Sequence, residues 1–201
     1  LAVSSIVMAA IYSVYATLTR SYTTQNAFAD VQQAVRASVD IMAEDIMMAG
    51  LGDRWLVEEY GTNPPRIVTA GSQEMSFTSD RNMDGELSGN FENITYRLVG
   101  RQLEITDALG TEVLIDNVIN NDLGVPLFRY FSQDPDDLTN DVDLIDPSGP
   151  YGYADPMVAE SQLEVISTVE ISVTVEEPAG REGMVQRTYT TRVRRRNEVF
   201  D

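Results

Sequence analysis

The first forty-nine residues contain neither Gly nor Pro, and Gly50 is the first glycine of the chain. Gly and Pro are the strongest punctuators of local structure, so this stretch has nothing inside it to stop a helix. As one continuous helix, residues 1–50 would be about 75 Å long at ~1.5 Å per residue. That exceeds what a small head domain needs, so part of the helix is expected to project. The opening LAVSSIVMAAIYSVYATL carries no charge before Arg20, and apolar residues fall on every face. A helix that is apolar all round is buried in lipid or in other protein. The run is slightly shorter than the ~20 residues of a membrane span.

From Phe28 the pattern narrows to one stripe of Phe28, Val31, Val35, Val39, Met42, Ile46 and Ala49. Steps of three and four mark an amphipathic helix packed on a core by one face. Arg36, Asp40, Glu44 and Asp45 fall largely off that stripe. Two parts are therefore expected. Residues 1–52 form a helix with an apolar half (1–22) and an amphipathic half (23–50), and residues 53–201 form a β-rich head. A signal peptide would carry a shorter apolar core ending in a cleavage site, yet here the helical pattern runs through Ala9 and Ala10.

Composition closes most enzyme classes. There is no Cys, no His and no Lys. Thiol nucleophiles, zinc–thiolate sites, the Ser-His-Asp constellation and Schiff bases are thereby excluded. The net charge of −18 disfavours nonspecific binding to nucleic acid or anionic lipid. The chain is read as a non-enzyme.

After Gly50 and Gly52, placed to cap the helix, short alternating runs predict strands over 66–69, 74–78, 93–99, 101–106, 113–118 and 126–131. Gly100 and the Leu109-Gly110 pair mark hairpin turns. These runs predict an antiparallel meander packed against the helix stripe. From Ser132 to Ser161 the sequence is acidic and aperiodic, which reads as a surface loop. Its functional alternative is a subunit contact or cation site using some of Asp134, Asp136, Asp137, Asp141, Asp143 and Asp146. Two long strands, 163–176 and 184–196, then flank Pro178-Ala179-Gly180. The fold class is α+β: a long N-terminal helix packed on an antiparallel sheet.

Three local features invite a functional reading. Asp80, Asn82, Asp84, Gly85 and Glu86 satisfy the D-x-[DN]-x-[DN]-G start of a calcium loop, with Gly85 at the bend and the Glu86 carbonyl as the next ligand. Position twelve is Phe91, so the closing acid of an EF-hand is missing, and a polar turn between strands is the competing reading. Arg192, Arg194 and Arg196 share one strand face, opposite Tyr189, Thr191 and Val193. On so acidic a chain they are expected to pair with carboxylates rather than nucleic acid. Tyr12, Tyr15 and Tyr22 read as packing residues between helices rather than an electron-hopping path.

The run SSIVMAAIYSVYATLTRSYTTQNAFADVQQAVRASVDIMAEDIMMAGL resembles the N-terminal helix of type IV pilin-like proteins, above all PilW-like minor pilins, with J-type pseudopilins of type II secretion as relatives. The segment VEISVTVEEPAGREGMVQRTYTTRVRRRN resembles the closing hairpin of the same group. The resemblance implies a structural subunit of a pilus or secretion filament. Such a subunit resides in the inner membrane before assembly and then in a periplasmic or extracellular filament of a Gram-negative-type bacterium. Its implied partners are other pilin subunits and the assembly machinery. Val3, Val7, Ile11, Val14 and Leu18 are the expected assembly residues. Family members open with a methylated Phe and place a glutamate inside the apolar segment, whereas here the first glutamate is Glu44. Further residues ahead of Leu1 are therefore expected. The rival reading is a membrane-anchored periplasmic module for calcium-dependent binding or adhesion.

Overall fold

The computed structural model describes residues 2–50, 66–79, 92–133, 141–143, 163, 166–178 and 183–194. Helix α1 spans Ala2–Met47 without a break, roughly 69 Å at ~1.5 Å per residue. It ends where Gly50 takes a φ of +77°, and the Gly50 amide donates to the Thr78 carbonyl at 2.8 Å. A Cβ here would lie 2.7 Å from Arg66 Cγ, so both backbone sign and space call for glycine. Gly52 lies outside the described residues.

Two antiparallel sheets follow. The first is a five-stranded meander in sequence order: β1 (Ile67–Ala70), β2 (Glu74–Thr78), β3 (Asn93–Val99), β4 (Gln102–Asp107) and β5 (Gly110–Ile115). Two-residue connections join β3 to β4 and β4 to β5, since Val99 pairs with Gln102 and Asp107 with Gly110. The second turn is fixed by Asp107, whose Oδ1 accepts the Leu109 amide at 2.8 Å. That tight connection starts β5 three residues before the expected Val113.

The second sheet comprises β6 (Phe128–Gln133), β7 (Asp141–Asp143), β8 (Ile166–Pro178) and β9 (Met184–Arg194), in the order β7-β6-β8-β9. The expected meander thus divides. The 126–131 run leaves it because 118–127 is not a simple turn: a short helix, α2 (Asn120–Leu123), carries the chain across to the second sheet. Part of the expected acidic loop is also strand, with Val142 paired to Ser132.

One core joins helix and sheets. Val35, Val39, Met42, Ile46 and Ala49 from α1 are buried with Phe77, Ile94, Tyr96 and Leu103 of the first sheet and Tyr130, Val169, Ile171 and Val173 of the second. Full burial of each large side chain contributes about 1.5–3 kcal/mol. The predicted stripe is therefore the buried one from Val35 on, with Val31 half-buried at its margin; the Phe28 side chain lies outside the described residues. Asp45 departs from the expected polar face, because the Tyr96 hydroxyl donates to its Oδ2 at 2.5 Å. Ser38 likewise turns inward and donates to the Leu114 carbonyl of β5 at 3.5 Å.

The sheets are stitched to each other by backbone. The amides of Leu127 and Phe128 both donate to the Ser72 carbonyl, at 2.8 and 3.0 Å, and the Tyr130 hydroxyl donates to the Gly71 carbonyl at 2.9 Å. Beyond Ile171, β8 has outrun β6 and needs another partner for its edge. Asn120 supplies it: the amide nitrogen donates to the Ser172 carbonyl at 2.7 Å, and Oδ1 accepts the Thr174 amide at 2.7 Å. The carboxamide of this fully buried residue does the work of a peptide group in a missing strand. The Ile119 amide bonds the Thr174 carbonyl, and Asn117, in a left-handed conformation its side chain tolerates, accepts the Glu176 amide.

Candidate membrane and assembly surface

The candidate surface is built from what α1 does not bury. Val3, Val7, Ile11, Val14 and Leu18 are all exposed, from 51% at Val7 to 75% at Val3. Ile6 and Met8 are exposed with them. This is a large apolar surface on a chain of net charge −18, and soluble monomers rarely leave contiguous apolar patches of more than a few hundred Å² open.

The helix satisfies its own polar groups along this surface. Its backbone is continuously helical, so amides and carbonyls pair within the segment, as an apolar medium requires. The Thr17 hydroxyl donates to the Ser13 carbonyl at 2.9 Å, and Thr19 to Tyr15 at 3.0 Å. Hydroxyls turned back onto the preceding turn cost little when water is removed. The stretch Val3–Tyr22 is 20 residues with a mean hydropathy of 1.2 and is long and apolar enough to cross a membrane. Its one charge, Arg20, stands at the end nearer the head, where a long side chain can reach the interface.

Two faces differ in texture. Val3, Val7, Val14 and Leu18 follow one another in steps of four and seven residues on an aliphatic face. Tyr12, Tyr15 and Tyr22 occupy an adjacent one, and all three are about two-thirds exposed or more. The expected assembly residues therefore stand together on one helix side, apart from the head.

The other sequence features fall out differently. Asp80, Asn82, Asp84 and Glu86 lie outside the described residues. The base of their loop is described: the Ser79 amide donates to the Glu92 carbonyl at 2.8 Å, and the Ser79 hydroxyl to the Met48 carbonyl at 3.2 Å. The loop is thus rooted at the C-terminal end of α1. Among the described residues no cluster of three or more acidic side chains is arranged to hold a metal. Of the acidic segment, Ser132 and Gln133 close β6 and 141–143 form β7, while Asp134, Asp136, Asp137 and Asp146 lie outside the described residues.

The arginine strand is engaged within the chain. Arg192 Nε lies 2.7 Å from Glu170 Oε2, and its guanidinium sits over the Phe131 ring 4.7 Å from the centroid. Arg129 stacks on the same ring and reaches the same carboxylate at 3.5 Å. Val193 faces the core as its alternation predicts, while Arg196 lies outside the described residues. At the β3–β4 turn, Arg101 bridges Asp122 at 2.6 Å and Glu176 at 3.0 Å, and bonds to Glu176 and then Asp122 raise its already high pKa further.

No protein-family profile, curated protein or solved structure matches the chain.

Proposed function

We propose that the protein is a pilin-like structural subunit, a minor pilin or pseudopilin, of a type IV pilus or type II secretion-like filament. The observation that carries this reading is one unbroken helix with two fates. Its second half is embedded in the head core, and its first half exposes an apolar surface of membrane-spanning length. The sequence resemblance at both ends of the chain supports the same reading.

In that role the first half-helix rests in the inner membrane and exchanges lipid for neighbouring helices on assembly. Helix continuity makes the exchange mechanical: a displacement of the apolar half is transmitted to the head without a hinge. No side chain performs chemistry, and the energy comes from the assembly machinery.

Ile11→Asp tests the proposal. A charge at the centre of a lipid-buried helix costs about 3 kcal/mol, while Ile11 touches nothing in the head core. The variant is expected to be excluded from filaments with head stability unchanged. Normal incorporation of Ile11→Asp subunits would remove the mechanism.

A further inference from the structure

The second sheet carries opposite charges on its two outer strands. Along β9 the run MVQRTYTTRVR holds three arginines and no acid, while β7 at the other edge is Asp-Val-Asp. Among the described residues no strand pairs with the outer side of either one. β9 is long and regular for an edge. It pairs with β8 at every position from Met184 to Arg194 without a bulge, and it holds no Pro. An open edge of that kind is a template for another strand.

Register sets the charges in line. Phe131 of β6 stands opposite Thr168 of β8, and Thr168 stands opposite Arg194 of β9. On its other side Phe131 stands opposite Asp143 of β7. Asp143, Phe131, Thr168 and Arg194 therefore form one row across the sheet. Tyr130, Val169 and Val193, one position along, belong to the core, so the row lies on the opposite, outer face. Alternation adds Arg192 and Asp141 to that face, two residues along their strands.

Strand direction completes the match. Each neighbouring pair in β7-β6-β8-β9 is antiparallel, so β9 and β7 run in opposite senses. A second copy set beside the first in the same orientation brings its β7 antiparallel to β9, with the outer faces continuous. Its Asp143 then stands directly opposite Arg194. Arg192, already held by Glu170, and Asp141 stand on the diagonals, within reach of long side chains. Pairing β9 with another β9 would instead join two strands that carry only positive charge, and β7 with β7 two that carry only negative. The charges favour the unlike pair and oppose both like ones.

We propose that the β9 edge is a docking site for the β7 edge of a second copy of this chain, joining heads through one continuous antiparallel sheet. The contact is head to tail: each copy contributes a different edge, leaving one edge of each kind open to the next copy. Backbone hydrogen bonds supply the attraction, and the Arg194–Asp143 row sets the register. The contact is made by the head alone and goes beyond the filament reading, which concerns the apolar half of α1.

The test is sedimentation of the full chain in detergent micelles over a range of protein concentrations, at low salt where exposed charges are least screened. The native chain should pass from monomer to dimer to larger species as concentration rises. Arg194→Asp sets aspartate against aspartate in the row, and Asp143→Arg sets arginine against arginine. Either change alone should weaken association about tenfold. Mixing the two variants should restore native association, because each then meets the opposite charge on the other. Both changes in one chain should restore it as well. Ile11→Asp, which tests the filament reading through α1, should leave the series unchanged, so the two readings fail separately. The proposal is overturned if the native chain stays monomeric or stops at a dimer, or if either single variant associates as the native chain does. It is equally overturned if neither mixing nor the double change restores association, or if Ile11→Asp abolishes it.

Discussion

The two halves of α1 are made from the same kinds of residue and share one backbone, yet they end in opposite environments. Val7 and Ile11 are more than half exposed, while Val35 and Ile46 are fully buried. What separates them is arrangement. Between Val31 and Ala49 the buried apolar residues form one stripe, matched by inward rows on both sheets, with Ile41 left outside it. Between Val3 and Leu18 they occupy every side, and no single sheet could cover them. An amphipathic stripe fits a partner such as the sheets of the head; an apolar surface all round calls for lipid or protein that the described residues do not supply.

The sharpest way to break the comparison is to put the same charge in both halves. Met42→Asp buries a carboxylate among Val39, Ile46 and the sheet side chains, and should destabilise the head by about 4 kcal/mol or more, enough to unfold a marginal domain. Thermal or denaturant unfolding of the head reads this directly. The matching Ile11→Asp should leave the same transition in place within about 0.5 kcal/mol.

A smaller effect separates helix packing from sheet completion. Asn120→Ala removes the carboxamide that serves the Ser172 carbonyl and the Thr174 amide. Leaving those buried groups unpaired should cost about 3 kcal/mol. Exchange at the Thr174 amide should rise in the variant, while the β1–β4 amides keep their protection until global unfolding.

The smallest effect concerns the loop rooted where α1 ends. If Asp80, Asn82 and Asp84 take calcium, binding should stabilise the folded head by about 2.7 kcal/mol at a hundredfold excess over Kd and so raise the melting temperature. Asp84→Ala should abolish the rise. An unchanged melting curve with calcium or chelator assigns the motif to a polar turn.

Much of this architecture is visible in the residues themselves. The missing Gly and Pro predict α1, the stripe from Val35 to Ala49 predicts its buried face, and Gly100 predicts the β3–β4 turn. These are local signals. The division into two sheets is not local: it depends on α2 carrying Phe128 to pair with Ile171, forty-three positions on. Asn120 reads as an ordinary turn residue until the end of β6 leaves the β8 edge open. The burial of Glu177 was legible in principle, since the odd-numbered row Val169, Ile171, Val173, Val175 points to it. Ending the strand at Glu176 concealed it. Asp45 and Ser38 look like surface residues because their partners, Tyr96 and Leu114, are far away in sequence.

The central claim is that α1 joins an externally buried half to an independently folded head. Phase partition of the full chain, beside a shortened chain begun at Thr23, tests it most directly. The full chain should require detergent, and the shortened one should remain in aqueous solution as a folded head whose unfolding transition matches the parent within about 1 kcal/mol. A shortened chain that still requires detergent, or that fails to fold, would contradict the division of the helix on which the account rests.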